Sequence, residues 1–207
     1  MLIDRKKFYE KFPGTKLGKA KLTASRKAGF EAIFDAWDEI KHYDILEWLA
    51  YALATAWHET GTRMQPIREG FKDTDDEACA CVADYCKKKK VDNYARRHDN
   101  GMSYYGRGYV QLTHAANYLA MGRRLGLGEK LYDNPDLAME PEHAAKILLI
   151  GMIEGCFRPK AGKLIDYFDG KKDDWKNARG LINGDIAKNG MIVGAYGKAF
   201  FAALGYK

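Results

Sequence analysis

The chain has 207 residues, of which 46% are hydrophobic and 30% charged, and a formal net charge of +6. A chain of this length and composition can bury a large core, which excludes a disulfide-stapled mini-protein and a disordered polypeptide. No run of 18 uncharged apolar residues occurs, so we expect no stable membrane insertion. Because no repeat or low-complexity linker divides it, residues 1–207 are predicted to form a single domain.

The positive charge is concentrated in two segments. One holds seven basic residues between Arg5 and Lys21, and the other is "KKKKVDNYARR", Lys87–Arg97. A solvated surface is the simplest interpretation, although nucleic acid, acidic lipid or an anionic cell wall would also attract such segments. The stretch "MLIDRKKFYEKF" lacks the apolar core of a secretory signal, so we expect synthesis in the cytoplasm without a signal peptide.

The cysteines occur at positions 79, 81, 86 and 156. Their C-x-C-x4-C spacing matches neither a zinc knuckle nor a redox pair. It favours reduced structural thiols over a disulfide or a metal site, and we expect no metal and no cofactor.

Apolar residues recur at helical spacing in most segments, so a mainly α fold is predicted. In "LTASRKAGFEAIFDAWDEI", Thr23 or Ser25 is expected to cap an amphipathic helix. A second helix, apolar nearly all round, is predicted at about Asp44–Thr60, ending before Gly61. A short helix is expected at about Glu77–Lys88, and four more at "HAANYLAMGRRLGL", "EPEHAAKILLIGMIEG", "DWKNARGLI" and "GAYGKAFFAAL".

Residues 104–113, "YYGRGYVQLT", have strand character. Aromatic and β-branched side chains favour an extended backbone here, and two glycines mark its N-terminal side. We therefore expect one small extended segment within the helical fold.

Glu59 continues the apolar face of the second helix. That face steps by threes and fours through Ile45, Leu49, Ala52, Leu53 and Ala56. A carboxyl group buried at a helix C-terminus has a raised pKa, so Glu59 is predicted to stay protonated and act as a general acid. An exposed glutamate just past the helix end, paired with His58 or Arg63, fits the same pattern.

Glu69 follows in a polar segment, where solvent is expected to keep its carboxylate ionised at pH 7. Two carboxyl groups in opposite protonation states can hydrolyse a glycosidic bond, because one protonates the leaving oxygen while the other activates water. The pairing alone is not specific in a chain with 28 Asp and Glu residues.

Residues 103–118, "SYYGRGYVQLTHAANY", resemble the Y-Y-G-R-G-x-x-Q-L-[ST] signature of glycoside hydrolase family 19, a chitinase family whose fold many phage endolysins share. "HET" at 58–60, "NPDLA" at 134–138 and "ARGLING" at 178–184 resemble other motifs of the family in the same order. The resemblance implies a bilobed, lysozyme-like helical domain with catalytic activity, and the endolysin members are the most similar.

Carried over to this chain, the resemblance implies that Glu59 is the acid and Glu69 the base. Gln111 and Thr113 match positions that hold the attacking water and the sugar, and Asn117 matches a substrate-binding asparagine. Capping of the following helix is an equal explanation for Thr113 and Asn117. The family's second glutamate varies in spacing, so four other acids remain candidates for the base: Asp73, Asp75, Asp76 and Glu77.

Three further residues are predicted to contact the substrate: His58, Tyr105 and Asn183. Tyr104 and Tyr105 offer faces for stacking pyranose rings, although core packing explains one of them. Arg107 is predicted to be structural, with a guanidinium fork that could clamp a carboxylate and hold an acid in place.

These features predict an enzyme that cleaves β-1,4 bonds of N-acetylated amino-sugar polymers by an inverting mechanism. We favour peptidoglycan as the substrate, with chitin as the alternative, because the chain is short and cationic and lacks a signal peptide and a chitin-binding cysteine module. We expect a monomer that reaches the wall after holin-type release, with no nucleic-acid partner. A non-catalytic binder of glycans or polyanions is the competing hypothesis.

Overall fold

The computed structural model describes residues 3–15, 17, 20–40 and 45–205. Within these residues the chain forms eight α-helices and one two-stranded antiparallel sheet. None of the described helices is long and apolar enough to cross a bilayer. The elements are α1 (Arg5–Lys11), α2 (Ala24–Glu39), α3 (Leu46–Glu59), β1 (Ile67–Arg68), α4 (Asp75–Lys89), β2 (Arg107–Gly108), α5 (Ala115–Arg124), α6 (Lys130–Asp133), α7 (Pro141–Glu154) and α8 (Met191–Leu204).

Helix α3 is the centre of the main hydrophobic core. Eleven of its fourteen residues are buried, and it packs most extensively against α8 and also against α7 and α2. Gly197 of α8 allows the close approach, because a Cβ there would lie 2.6 Å from the Trp175 ring and 3.3 Å from Tyr51. Packing along the whole helix therefore fixes the position of its last residue, Glu59.

Helix α1 was not anticipated, because its basic residues obscured a buried apolar side. Phe8 and Phe12 are almost fully buried and pack against Phe30 and Phe200. The carboxylate of Asp4 caps the helix by accepting the N–H of Lys7 at 3.0 Å. The part of the N-terminal basic segment that the structure describes is therefore anchored to the core.

A second, smaller hydrophobic cluster lies between α4 and the segment before β2. It consists of Ala78, Val82, Cys86, Ala95 and Tyr105. Helix α4 begins with a capping box, in which Thr74 and Glu77 bond each other's backbone N–H. This cluster is separate from the main hydrophobic core. The four cysteines of the chain are free thiols.

Most predicted helices are present, with shifted ends. Of the two candidate caps of α2, Thr23 is the one observed, and its hydroxyl accepts the N–H of Arg26 at 3.2 Å. Helix α3 ends at Glu59. Its predicted start at Asp44 lies outside the described residues. The prediction of an α-helix at "DWKNARGLI" is wrong. That stretch holds a short 3₁₀ helix, Asn177–Leu181, because i→i+3 bonds such as Ile182 N–H to Arg179 O replace the α-helical pattern.

Only two residues of the predicted extended segment 104–113 form a strand. Arg107 and Gly108 of β2 pair with Arg68 and Ile67 of β1, and Arg107 also forms a bridge with Leu112. The tight return of the chain after Gly108 limits the strand length. The pairing places Glu69, which directly follows β1, beside Gly106.

Candidate active site

Glu59 is held by a buried guanidinium. Its side chain is 17% exposed and forms an ion pair with Arg179, whose side chain is only 2% exposed. The alternative of an exposed Glu59 paired with His58 or Arg63 is wrong, because the carboxylate is mostly buried and its partner Arg179 lies 120 residues away in the chain. Long-range packing therefore determines the surroundings of this carboxylate.

Arg179 also binds a second acid, Asp185. The guanidinium donates to the two Asp185 oxygens at 2.6 and 3.1 Å, and Asn189 donates to the same carboxylate at 2.6 Å. These contacts, first of all those from Arg179, lower the pKa of Asp185 to about 2. Arg179 is thus clamped between two carboxylates, and its orientation toward Glu59 is fixed.

Glu69 is held by protein groups on both oxygens. Oε2 accepts the backbone N–H of Gly106 at 2.8 Å, and Oε1 accepts the hydroxyl of Tyr94 at 2.5 Å. Burial, followed by this hydrogen bond, raises the pKa of Tyr94, so the phenol stays a donor. The sequence predicted a solvated Glu69, and the structure shows a half-buried side chain whose two oxygens each accept a protein hydrogen bond.

The other candidate acids are engaged elsewhere or exposed. Burial alone would raise the pKa of Asp75, but the hydroxyl of Tyr105 and the guanidinium groups of Arg107 and Arg97 outweigh it and lower that pKa. Asp76 is paired with Arg97. Of the remaining two, Asp73 is exposed and Glu77 belongs to the capping box of α4. Glu69 is thus the half-buried acid of this set that has no guanidinium partner among the described residues.

Arg107 is buried, and it does not clamp either candidate catalytic acid. It contacts Asp75, Asp136 at 2.8 Å and the Ser103 carbonyl at 2.8 Å. The bonds join α4 and the segment after α6 to β2. Arg107 therefore supports the strand that positions Glu69 and has no direct contact with the carboxylate.

Gln111 lies beside Glu69, with Gly106 between them. A Cβ on Gly106 would lie 2.8 Å from Gln111 Oε1 and 3.1 Å from Glu69 Oε2. A glycine is therefore required for these two side chains to approach the same backbone. The Gln111 amide donates to Ile67 O at 3.3 Å and to Gly108 O at 3.4 Å, which holds its carbonyl in this position.

Thr113 and Asn117 are linked to Gln111 by a chain of hydrogen bonds. The Thr113 hydroxyl donates to Gln111 O at 2.7 Å, and the Asn117 amide donates to Thr113 O at 2.7 Å. Neither side chain caps α5, whose first residue follows His114 without a side-chain cap. The capping explanation for these two residues is thus wrong.

His58 and Asn183 both lie near the Glu59 ion pair. Burial lowers the pKa of His58, which also feels the charges of Glu59 and Arg179, so its imidazole is neutral at pH 7. Asn183 is exposed, and its N–H donates to Arg179 O at 3.0 Å. Both residues are therefore on the Glu59 side of the site.

The predicted stacking role of Tyr105 is wrong. Tyr104 and Tyr105 are both fully buried. The Tyr105 ring lies 3.7 Å from the Arg107 guanidinium, and its hydroxyl donates to Asp75 at 2.8 Å. Core packing accounts for both rings, so neither presents a face to a sugar.

Phe71 is an exposed aromatic residue that the sequence analysis missed. Its side chain is 46% exposed, and the Arg63 guanidinium lies 4.6 Å from the ring centre. The ring also lies over Gly61, two residues after Glu59. A Cβ on Gly61 would be 3.2 Å from the Phe71 ring. Phe71 itself comes two residues after Glu69.

Backbone strain is concentrated around Glu69. Six described residues other than glycine have positive φ, and five of them lie in the segments 62–71 and 111–114. They are Thr62, Met64, Phe71, Gln111 and His114. Such conformations cost free energy and persist where the surrounding fold imposes them, commonly at functional sites.

Comparison with known proteins identifies the family of the chain. The family model described as chitinase class I, glycoside hydrolase family 19, matches residues 27–163. The chain belongs to glycoside hydrolase family 19. The matched segment includes Glu59, Glu69 and the 103–118 motif.

Two plant proteins match short parts of this family 19 chain. An acidic 26 kDa endochitinase of Solanum lycopersicum is 43% identical over 53 residues, which cover 26% of this chain and 18% of that protein. An acidic endochitinase of Solanum chilense is 48% identical over 44 residues, 21% of this chain and 17% of that protein. The matches thus span less than a fifth of either plant protein.

Two bacterial structures share the fold along the whole chain. Chitinase C from Streptomyces griseus HUT6037 superposes with a TM-score of 0.60 at 20% identity, covering 100% of this chain and 78% of that one. A bacterial family 19 chitinase gives 0.59 at 22% identity and 97% coverage of its chain. The prediction of a mainly α, lysozyme-like fold is therefore confirmed.

Among the described residues, no group of three or more His, Cys, Asp or Glu side chains is arranged to hold a metal ion. The polar groups near Glu59 and Glu69 are instead carboxylates, amides, a hydroxyl and a guanidinium. Such a set can donate and accept protons and orient water. It is equipped for acid–base hydrolysis.

Proposed function

We propose that the protein hydrolyses β-1,4 bonds between N-acetylated amino sugars by direct attack of water. The observation that carries the proposal is the presence of two separately held carboxylates, Glu59 on Arg179 and Glu69 on Tyr94 and Gly106. Family 19 membership agrees with it. In an inverting hydrolase, one carboxyl group protonates the leaving oxygen while the other activates water on the opposite face of the sugar.

Glu59 acts as the general acid in this proposal. Arg179 and Asp185 fix the carboxyl group at the end of α3, so it can be aimed at the glycosidic oxygen without losing side-chain freedom on binding. The proton moves from Glu59 to the leaving sugar as the bond to the anomeric carbon breaks. Glu59 is then ionised, a state in which its contact with Arg179 is charge-assisted.

Glu69 acts as the general base. It accepts a proton from water while the water oxygen bonds to the anomeric carbon. Gln111 lies beside the Glu69 carboxylate and presents an amide carbonyl, which is the type of acceptor that can hold the second hydrogen of that water. Thr113 and Asn117 extend this polar surface and are proposed to contact the substituents of the bound sugar.

Between the two polymers, we propose peptidoglycan as the natural substrate and keep chitin as the second candidate. The net charge of +6 and the exposed lysines Lys87–Lys89 would attract an acidic wall polymer. Chitin is favoured by the plant and bacterial relatives, which are named as chitinases. In the peptidoglycan proposal the protein reaches the wall after holin-type release, as in phage lysis.

Digestion of purified peptidoglycan and of chitin oligomers in parallel, with mass spectrometry of the products, tests the proposal. We expect a new reducing-end sugar in at least one digest, and disaccharide-peptides from peptidoglycan. Cleavage of chitin alone would support the hydrolase activity and show that chitin, rather than peptidoglycan, is the substrate. Salt-sensitive binding of polyanions with no cleavage of either polymer would support the non-catalytic binder, which the lysine run favours.

Asp185→Asn is expected to lower kcat by about tenfold with little change in KM. The neutral amide holds Arg179 less firmly than the carboxylate does, so the guanidinium no longer fixes the Glu59 carboxyl group for proton transfer. Steady-state kinetics on the cleaved polymer measure both constants. An unchanged kcat would remove Asp185 from the positioning of Glu59.

The same variant has a stability signature. Because folding lowers the pKa of Asp185 from 3.8 to about 2, its contribution is present above pH 4 and is lost as pH falls toward 2. The difference in unfolding free energy between wild type and Asp185→Asn is expected to be about 2 kcal/mol at pH 7 and to vanish near pH 2. Asp173→Asn, at an exposed site, is the matched control.

Phe71→Ala is expected to raise KM about fivefold to tenfold with little change in kcat. The exposed ring lies over Gly61 and can stack on a pyranose face, and an aromatic stack contributes about 1 kcal/mol. Phe71→Tyr keeps the ring and should keep the wild-type KM. Equal kinetics in Phe71→Ala and wild type would show that the ring does not touch the sugar.

A further inference from the structure

A cavity of about 720 Å³ adjoins the Glu69 side of the site. One wall is formed by residues 91–94 together with Arg96 and His98, and the other by residues 114–116 at the start of α5. We call it the Tyr94 cavity. Its volume lies in the range of pockets that bind small molecules, and none of the proposed catalytic steps uses it.

Two residues connect the Tyr94 cavity to the reacting groups. Tyr94 lines the cavity and donates its hydroxyl to Glu69. His114 lines the opposite wall, with its ring 5.6 Å from that of Tyr94, and directly follows Thr113. A substituent on a sugar held against Glu69 and Thr113 therefore has the cavity beside it.

The cavity wall carries a positive charge available for a ligand. Among the described residues Arg96 is exposed and has no ion-pair partner, whereas its neighbour Arg97 is paired with Asp75 and Asp76. Asp92 is the one acidic side chain in the wall. The segment Lys87–Arg97 as a whole holds six basic residues against this single acid, so its net charge favours an anion.

The remaining wall is compatible with an anion. His98 and His114 present imidazole nitrogens that can donate hydrogen bonds. Helix α5 begins at Ala115 without a side-chain cap, and the positive end of its dipole adds to the potential supplied by Arg96. Apart from Asp92, no acidic residue lines this cavity in the described part of the chain.

We propose that the Tyr94 cavity binds the acidic lactyl-peptide substituent of a peptidoglycan sugar, with Arg96 as its charged contact. This rests on the proposed function for the position of the sugar. The two candidate polymers share their N-acetylated pyranose rings, but chitin is neutral, whereas the lactyl ether of peptidoglycan continues into a peptide that ends in carboxylates. A cavity with an unpaired arginine next to the base therefore selects peptidoglycan by charge.

The direct test measures binding of two soluble probes to the wild-type protein, N-acetylmuramyl dipeptide and the neutral disaccharide N,N′-diacetylchitobiose. We expect tighter binding of the acidic probe, weakened by salt. Arg96→Glu should weaken binding of the acidic probe on the order of tenfold and binding of the neutral probe less than about twofold. Lys6→Glu makes the same charge change at an exposed position on α1 and should alter neither affinity.

Each other result overturns the proposal. Equal affinities of the wild type for the two probes would show that the cavity does not read charge. An equal loss on both probes in Arg96→Glu would indicate a structural role, and Arg96→Gln repeats the measurement without charge reversal. The probes measure binding, so they test the cavity proposal even if neither polymer is cleaved. Absence of cleavage would instead contradict the proposed hydrolysis.

Discussion

Glu59→Gln is expected to reduce kcat by about 10³-fold or more while KM stays near the wild-type value. The amide keeps the shape of the side chain and can still accept a hydrogen bond from Arg179, but it cannot deliver a proton to the leaving oxygen. The loss therefore falls on the transition state rather than on sugar binding. Steady-state kinetics on the substrate found by parallel digestion measure both constants.

The leaving group decides whether the loss reflects acid catalysis. A dinitrophenyl glycoside departs without protonation, so Glu59→Gln should recover most of the wild-type rate on such a substrate. Glu47→Gln, the same substitution in the first turn of α3, should behave as wild type. Full activity of Glu59→Gln on the natural bond would remove Glu59 from the mechanism.

Glu69→Gln is expected to lower kcat by about 10²- to 10⁴-fold, again with little change in KM, because activation of water occurs only in the transition state. In contrast to Glu59→Gln, an activated leaving group should not restore the rate. The water still lacks its base. The opposite responses of the two variants to the dinitrophenyl substrate therefore separate the acid from the base.

The matched control for Glu69 is Glu77→Gln, which changes an acid of the α4 capping box. We expect that variant to lose some helix stability and to keep its kcat. A large kcat loss at Asp73, Asp75, Asp76 or Glu77, together with an active Glu69→Gln, would move the base to that residue. Melting temperatures of each variant separate loss of fold from loss of chemistry.

Local periodicity predicted where Glu59 lies but not what holds it. The apolar steps along α3 lead to Glu59 because a helix repeats every three to four residues, and the structure buries those positions. Its partner Arg179 is 120 residues away, in a motif that was recognised without a role for the arginine. No local pattern predicts a pairing over that distance. The one nearby indication was Asp185, an acid one residue beyond "ARGLING" that could have suggested an ion pair with Arg179.

The hydrogen-bond partners of Glu69 were also not predictable from the local sequence. The polar sequence around it predicted solvent, whereas Gly106 and Tyr94 occupy both of its oxygens. These partners come from segments that are polar or glycine-rich, where periodicity carries little information. The buried tyrosines of "YYGRG" were misjudged for a related reason, since aromatic residues suit both a sugar surface and a core.

The most direct test of the central claim is to determine the anomeric configuration of the first product. NMR can monitor it while the enzyme cleaves a β-linked amino-sugar oligomer. Direct attack of water, with Glu59 as acid and Glu69 as base, predicts that the new reducing end appears as the α-anomer before mutarotation. Initial release of the β-anomer would contradict the account, because retention requires a covalent or substrate-assisted intermediate in place of a single displacement by water.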